Sequence, residues 1–168
     1  MEAELRSQLS LQEAAAIYDD LNAHHVQSYG PEARGQAARS EVIISNGDID
    51  YPKATHIDTF LATTQEAIER YSHDLKPEAI VVVDSENVTR VPDGVRVLPL
   101  PLLQTAEQEL QRPTLLAMLS LGVVVALSEA VSKDAIESAV KDHVAKGSEA
   151  IHLQALKRGY ELAQTVQK

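Results

Sequence analysis

The chain has 168 residues, 44% of them apolar, which suits a single domain, 1–168, with a substantial core. A formal net charge of −10 excludes a general nucleic-acid binder or a polybasic membrane-surface binder, both of which need a basic face. Cysteine is absent, so the sequence offers no thiolate for an iron–sulfur cluster or zinc, no disulfide and no thiol nucleophile.

In chain order, Leu5, Leu9, Ala16, Ile17 and Leu21 recur at helical spacing and predict an amphipathic helix over 3–20. The start, Met1-Glu2-Ala3-Glu4-Leu5, has no secretory-signal layout, and a soluble cytoplasmic protein is expected. Residues 26–28 read as a short strand and Tyr29-Gly30-Pro31-Glu32 as a turn. Glu41-Val42-Ile43-Ile44-Ser45 reads as a strand, closed by a turn at Asn46-Gly47-Asp48. Asp58 to Thr63 is the next predicted strand and Gln65 to Tyr71 a helix, ended by Lys76-Pro77-Glu78. Ala79 to Val83 is apolar without alternation, which predicts a strand buried on both faces of a parallel sheet, with Asp84 at its C-terminal end. Val95 to Leu98 reads as a strand before a break at Pro99 and Pro101.

Beyond residue 102 the pattern predicts helices only, over 102–110, 114–130, 133–142 and 148–165, with Ser132 and Ser148 as N-caps and Gly147 in a turn. The apolar run Leu115 to Leu127 is shorter than the ~20 residues that cross a bilayer. Strands alternating with helices imply an α/β domain of three layers with a mostly parallel sheet and a helical C-terminal third.

Few residues point to chemistry. His24 and His25 are adjacent and face different ways, and no His-x₃-His pair exists, so no metal is expected. No Gly-x-Ser-x-Gly elbow is present. No Gly-x-Gly occurs, and glycine is scarce at 7 residues, so the usual phosphate-cradling loop of an α/β domain is not in evidence. The segment Ser28 to Ser40 sets Arg34 and Arg39 among small residues in an acidic protein, which suits a phosphate or carboxylate as well as it suits surface pairing with Glu32 or Glu41. Asp84 and Thr63-Thr64-Gln65 follow strands, at the sheet edge where ligands bind in open α/β folds, though helix capping explains them too.

Ser28-Tyr29-Gly30-Pro31-Glu32-Ala33-Arg34-Gly35-Gln36-Ala37-Ala38-Arg39-Ser40-Glu41-Val42 resembles the gamma subunit of 2-oxoacid:ferredoxin oxidoreductases, most of all the 2-oxoglutarate type. The likeness extends through Ile49-Asp50-Tyr51-Pro52, Thr63-Thr64-Gln65-Glu66-Ala67, Val82-Val83-Asp84-Ser85, Leu121-Gly122, Val131-Ser132-Lys133, Lys146-Gly147-Ser148-Glu149 and Ala155 to Ala163, covering roughly residues 13–164.

The resemblance implies a Rossmann-like α/β fold and an accessory role. In that role alpha and beta subunits, and a ferredoxin-like delta subunit where one is present, hold thiamine diphosphate, Mg²⁺ and [4Fe–4S] clusters. The enzyme converts a 2-oxoacid, coenzyme A and oxidised ferredoxin to acyl-CoA, CO₂ and reduced ferredoxin. Tyr29, Gly30, Pro31, Glu32, Arg34, Gly35, Arg39, Ser40, Thr63, Thr64, Gln65 and Asp84 are implied to lie near coenzyme A and the active-site entrance or at a subunit interface. This chain itself is expected to supply no catalytic residue and no metal ligand.

Three departures from the family pattern stand out. Met1 aligns where the family has a Gly-rich loop, so the first strand and most of that loop are expected to be missing, leaving strand edges unpaired. Gln36 replaces the second glycine of an Arg-Gly-Gly step, and Pro113-Thr114 stands where asparagine is common. The lost loop favours an alternative reading, a degenerate scaffold that holds the complex together; otherwise contacts to coenzyme A fall to Arg34 and Arg39.

Overall fold

The computed structural model describes residues 10–28, 39–50 and 56–167, and the chain organises them into two sheets and six helices. Helix α1 runs over 10–18, its last turn widened into a π-turn at Ala14–Tyr18. Strands β1, Asn22–Ser28, and β2, Arg39–Ser45, pair antiparallel as a separate ribbon. The second sheet contains β3 (Ile57–Ala62), β4 (Leu75–Asp84) and β5 (Val97–Leu100), all parallel, in the order β3-β4-β5. Helix α2, Gln65–Tyr71, links β3 to β4. The C-terminal part is helical: α3 (Leu102–Gln104, continued by a π-turn Thr105–Glu109), α4 (Leu116–Ser128), α5 (Lys133–His143) and α6 (Glu149–Gln164).

The mixed α/β class and the parallel central sheet agree with the sequence reading. Val82 packs with Leu100, Leu102, Leu119, Val123 and Leu162, whereas Val81 and Val83 pack with Ala62, Ile68 and Val88. Successive side chains of β4 therefore enter opposite cores, which is why the run Ile80 to Val83 is apolar throughout. A third core joins α1, α4, α5 and α6, and the ribbon rests on it through Ala23, Val42 and Ile44.

Several boundaries differ from the expectation, each for a physical reason. The strand foreseen at 26–28 starts at Asn22, because pairing with β2 recruits Asn22, Ala23, His24 and His25 despite their modest β-propensity. The strand foreseen at 41–45 belongs to that ribbon rather than to the parallel sheet. Lys76-Pro77-Glu78 does not end a helix but lies inside β4. The partner of Ile57 is Leu75 and that of Thr59 is Ile80, so β4 bulges between them, and Pro77 sits where no N–H is needed by the ladder. The strand expected at 95–98 is Val97–Leu100 and includes Pro99, tolerated because β5 is an edge strand among the described residues. The predicted 3–20 helix is described only from residue 10, and the turn at Tyr29-Gly30-Pro31-Glu32 lies outside the described residues.

The helix ends show where glycine is missing. In α1, Asp19 N–H bonds to Ala14 O and Leu21 N–H to Ala15 O; in α3, Leu110 N–H bonds to Thr105 O and Arg112 N–H to Ala106 O. Each wide turn needs a left-handed residue, supplied by Asp20 at φ 54° and Gln111 at φ 53°, and α4 stops similarly at Glu129, φ 51°. A non-glycine residue there is strained by roughly 1 kcal/mol. Gln111→Gly is expected to raise stability by about 0.5–1 kcal/mol in chemical denaturation, the relief exceeding the added chain entropy.

Ser132 caps α5, its Oγ accepting from Ala135 N–H at 3.2 Å, and is itself held by Asp19, which accepts from Ser132 N–H at 2.6 Å and from its hydroxyl at 2.7 Å. Ser148 does not cap α6 with its side chain: its hydroxyl donates to Ala145 O at 2.7 Å, and Glu149 reaches back to Gly147 N–H at 2.7 Å.

Candidate functional site

The C-terminal ends of β3 and β4 bring together Thr63, Thr64, Gln65 and Asp84, four of the residues singled out in the sequence. Three of these side chains are committed to building the sheet edge. The Thr64 hydroxyl caps α2 by accepting from Ala67 N–H at 3.2 Å. Gln65 reads the backbone of the following loop: its Oε1 accepts from Thr89 N–H at 2.9 Å and Arg90 N–H at 3.0 Å, and its Nε2 donates to Arg90 O at 2.9 Å. The same nitrogen donates to Glu69, which in turn pairs with Arg90 at 2.8 Å. Thr63 is half-buried beside them, and its hydroxyl has no partner among the described residues.

Asp84 is fully buried with no cation paired to it among the described residues, a costly arrangement unless every lone pair is used. One oxygen accepts from Glu86 N–H (3.2 Å), Asn87 N–H (3.0 Å) and Asn87 Nδ2 (2.9 Å), the other from Leu103 N–H (2.8 Å). The carboxylate therefore ties the loop after β4 to the start of α3, with Ser85 N–H bonded to Leu100 O at 2.9 Å completing the joint. Asn87, Glu69 and Arg90 are parts of this edge that sequence reasoning missed. Asp-x-x-Asn directly after a strand is the Asx-turn signal that could have found Asn87.

The ribbon carries the other group. Tyr29, Gly30, Pro31, Glu32, Arg34 and Gly35 lie outside the described residues, between the strands that flank them. Arg39 opens β2 and Ser40 follows it. The Ser40 hydroxyl meets His25 Nε2 at 2.7 Å across the ribbon. Burial, with His24 next to it adding repulsion, lowers the His25 pKa from its ordinary 6.5. The folded state thus binds a proton there less readily than the unfolded chain. Stability is present above the unfolded value and is lost as pH falls below about 6.5. His25→Gln is expected to flatten that part of a stability–pH profile between pH 7 and 5, and an unchanged slope would remove His25 from the account.

Among the described residues no cluster of His, Asp and Glu has metal-site geometry, and no helix is long and apolar enough to cross a membrane. A cleft of ≈ 220 Å³ between α4, α5 and α6 contains none of the residues foreseen from sequence. There Lys133 lies 5.0 Å over the ring of Tyr160, whose buried hydroxyl has no hydrogen-bond partner among the described residues, and burial pushes its pKa up.

Comparison with known proteins adds what geometry leaves open. Residues 9–162 match the profile of the family described as pyruvate ferredoxin/flavodoxin oxidoreductase. The chain is 39% identical over 153 residues to the 2-oxoglutarate synthase subunit KorC of Methanocaldococcus jannaschii, covering 89% of this chain and 82% of that one. It is 28% identical over 141 residues to the ketoisovalerate oxidoreductase subunit VorA of Methanothermobacter thermautotrophicus, covering 81% of this chain and 29% of that one. Among solved structures, the keto/oxoacid ferredoxin oxidoreductase gamma subunit of Geobacter sulfurreducens superposes with a TM-score of 0.84 at 38% identity, covering 95% of this chain and 90% of that one. A 2-oxoglutarate:ferredoxin oxidoreductase from Magnetococcus marinus, solved with 2-oxoglutarate, coenzyme A and succinyl-CoA bound, shares the fold at a TM-score of 0.79 and 22% identity, over 99% of this chain and 29% of that one.

Proposed function

We propose, for a chain that belongs to the pyruvate ferredoxin/flavodoxin oxidoreductase family and is similar throughout to its gamma subunits, that it serves an enzyme converting 2-oxoglutarate, coenzyme A and oxidised ferredoxin to succinyl-CoA, CO₂ and reduced ferredoxin. The observation that carries this reading is the 39% identity to a 2-oxoglutarate synthase subunit, against 28% to a ketoisovalerate enzyme subunit. Thiamine diphosphate, Mg²⁺ and the [4Fe–4S] clusters belong to partner subunits, alpha, beta and, where present, a ferredoxin-like delta. A chain with no cysteine has no thiolate for a cluster. At the sheet edge Thr64, Gln65 and Asp84 hold loops in place, which suits an accessory role.

The test is turnover by the assembled complex. Viologen or ferredoxin reduction with coenzyme A should be faster with 2-oxoglutarate than with pyruvate or 2-oxoisovalerate by about tenfold or more. Preference for either of the others overturns the substrate.

Arg34 and Arg39 are the groups of this chain suited to the coenzyme A phosphates. Replacing both by Ala is expected to raise KM for coenzyme A by about tenfold with KM for 2-oxoglutarate unchanged. An unchanged KM for coenzyme A in an assembled, active complex would favour the scaffold reading instead.

A further inference from the structure

We infer that Asn46-Gly47 is a site of spontaneous covalent modification, where Asn46 deamidates through a succinimide at a pace restrained by the Ser45 hydroxyl. The chain has three asparagines, Asn22, Asn46 and Asn87, and the fold treats them differently. Asn22 begins β1, where pairing with Ser45 keeps its backbone extended, and its side-chain amide donates to Gly47 O at 3.0 Å. Asn87 is tied on both sides. Its Nδ2 donates to Asp84 at 2.9 Å, and the next residue, Val88, is buried with its N–H on Asp84 O at 3.0 Å. Asn46 is exposed just past the end of β2, and its side-chain amide has no partner among the described residues. The residue after it is an exposed glycine, and a Cβ there would meet only Ser45 Oγ, at 4.0 Å. With no side chain beside the attacking nitrogen, closure of the ring is unhindered.

The reaction needs no co-reactant but water. The Gly47 nitrogen, its proton passing to solvent, bonds to Asn46 Cγ; the Cγ–Nδ2 bond breaks, and ammonia leaves with a proton taken from solvent. Water then opens the ring on either side of that nitrogen, leaving aspartate or isoaspartate, and nothing is oxidised or reduced. One bond stands against the first step: Gly47 N–H donates to Ser45 Oγ at 3.0 Å and must be released before the nitrogen attacks. Each event adds a negative charge beside the exposed Asp48, in a chain already at −10. Isoaspartate also lengthens the main chain by one carbon between Ser45, on the last rung of the ribbon, and Gly47, whose carbonyl Asn22 holds. That form therefore loses the hydrogen bond that fastens this end of the ribbon.

The test follows the full folded chain through prolonged incubation in mildly alkaline buffer. Ion-exchange chromatography should resolve a growing acidic form, and peptide mapping of that form, with isoaspartyl methyltransferase labelling, should place the change at residue 46. Gly47→Ala, which the space at that position admits, should slow its appearance by about tenfold or more, and Asn46→Gln should abolish it. Ser45→Ala should speed it by about two- to tenfold, the worth of one hydrogen bond. Hydrogen exchange at the Gly47 end of the ribbon should quicken in the aged chain while α4–α6 stay protected. It should not quicken in Asn46→Asp, which adds the charge without the extra carbon. A folded chain that gains no acidic form, or gains one at Asn22 or Asn87, overturns the inference. So does Gly47→Ala ageing at the parent's rate. An unchanged rate in Ser45→Ala overturns the restraint assigned to Ser45.

Discussion

Gly159→Ala is expected to lower stability by more than about 3 kcal/mol, a fall in melting temperature of roughly 6–12 °C or more. Helix propensity alone argues the opposite, since Ala is favoured over Gly in a helix interior by about 1 kcal/mol. Packing decides the sign. Helices α4 and α6 cross with backbone against backbone, and a Cβ on Gly159 would stand 2.2 Å from Leu119 O and 2.9 Å from Gly122 Cα. The reverse substitution site is as tight: a Cβ on Gly122 would stand 2.1 Å from Leu156 O. The obstructing atoms are main-chain atoms of buried helices, so neither side yields without shifting a helix that also carries Leu119, Val123, Leu156 and Leu162 into the cores. Gly122→Ala should behave alike, and the double variant should cost less than the sum, because one separation of the helices relieves both clashes. A thermal or urea melt of each variant checks this, and a neutral result for either would show that the crossing is looser than described.

The second large effect is expected at Asp84. Replacing it by Ala leaves the part-buried N–H groups of Glu86, Asn87 and Leu103 without their acceptor, at a cost of about 2–4 kcal/mol. Asp84→Asn keeps an acceptor for one set of donors but turns an amide NH₂ towards the other, so it should recover only part of that loss. Protection of Glu86, Asn87 and Leu103 amides in hydrogen exchange gives the local readout, with urea denaturation for the global one. A variant that loses exchange protection there while α4–α6 stay protected would show that Asp84 holds the sheet edge rather than the core. Equal stability of Asp84→Asn and the parent would refute the hydrogen-bond account.

Asp84 and Gln65 also show how a candidate site is read from sequence. Their position, directly after strands of an α/β sheet, was legible, because ligands and loop anchors both gather there. Their duty was not. Gln65 recognises the backbone of Thr89 and Arg90, and Asp84 that of Leu103, 19 residues away, and such pairings carry no residue-type signal in the distant partner. The resemblance to gamma subunits was legible for a different reason: the segment Ser28 to Val42 is specific in residue identity, not only in pattern, and the family profile covers residues 9–162.

By itself the sequence determined what local chemistry enforces. The continuous apolar run of β4 required burial on both faces, and Val82 enters one core while Val81 and Val83 enter the other. Thr64 and Ser132 capped α2 and α5 because a hydroxyl ahead of a helical pattern finds the free N–H groups of the first turn. The absence of cysteine left the sequence without a thiolate for an iron–sulfur cluster.

Only the tertiary structure decided where pairing overrides propensity. Asn22 to His25 became strand because β2 lies beside them, and Pro77 entered β4 because the ladder bulges there. Asp20, Gln111 and Glu129 took left-handed turns that glycine would fill more cheaply, because the packing of the helices they end fixes the path of the chain. Of the 7 glycines, Gly122 and Gly159 owe their place to one helix crossing, a contact between residues 37 apart in sequence that no window along the chain contains.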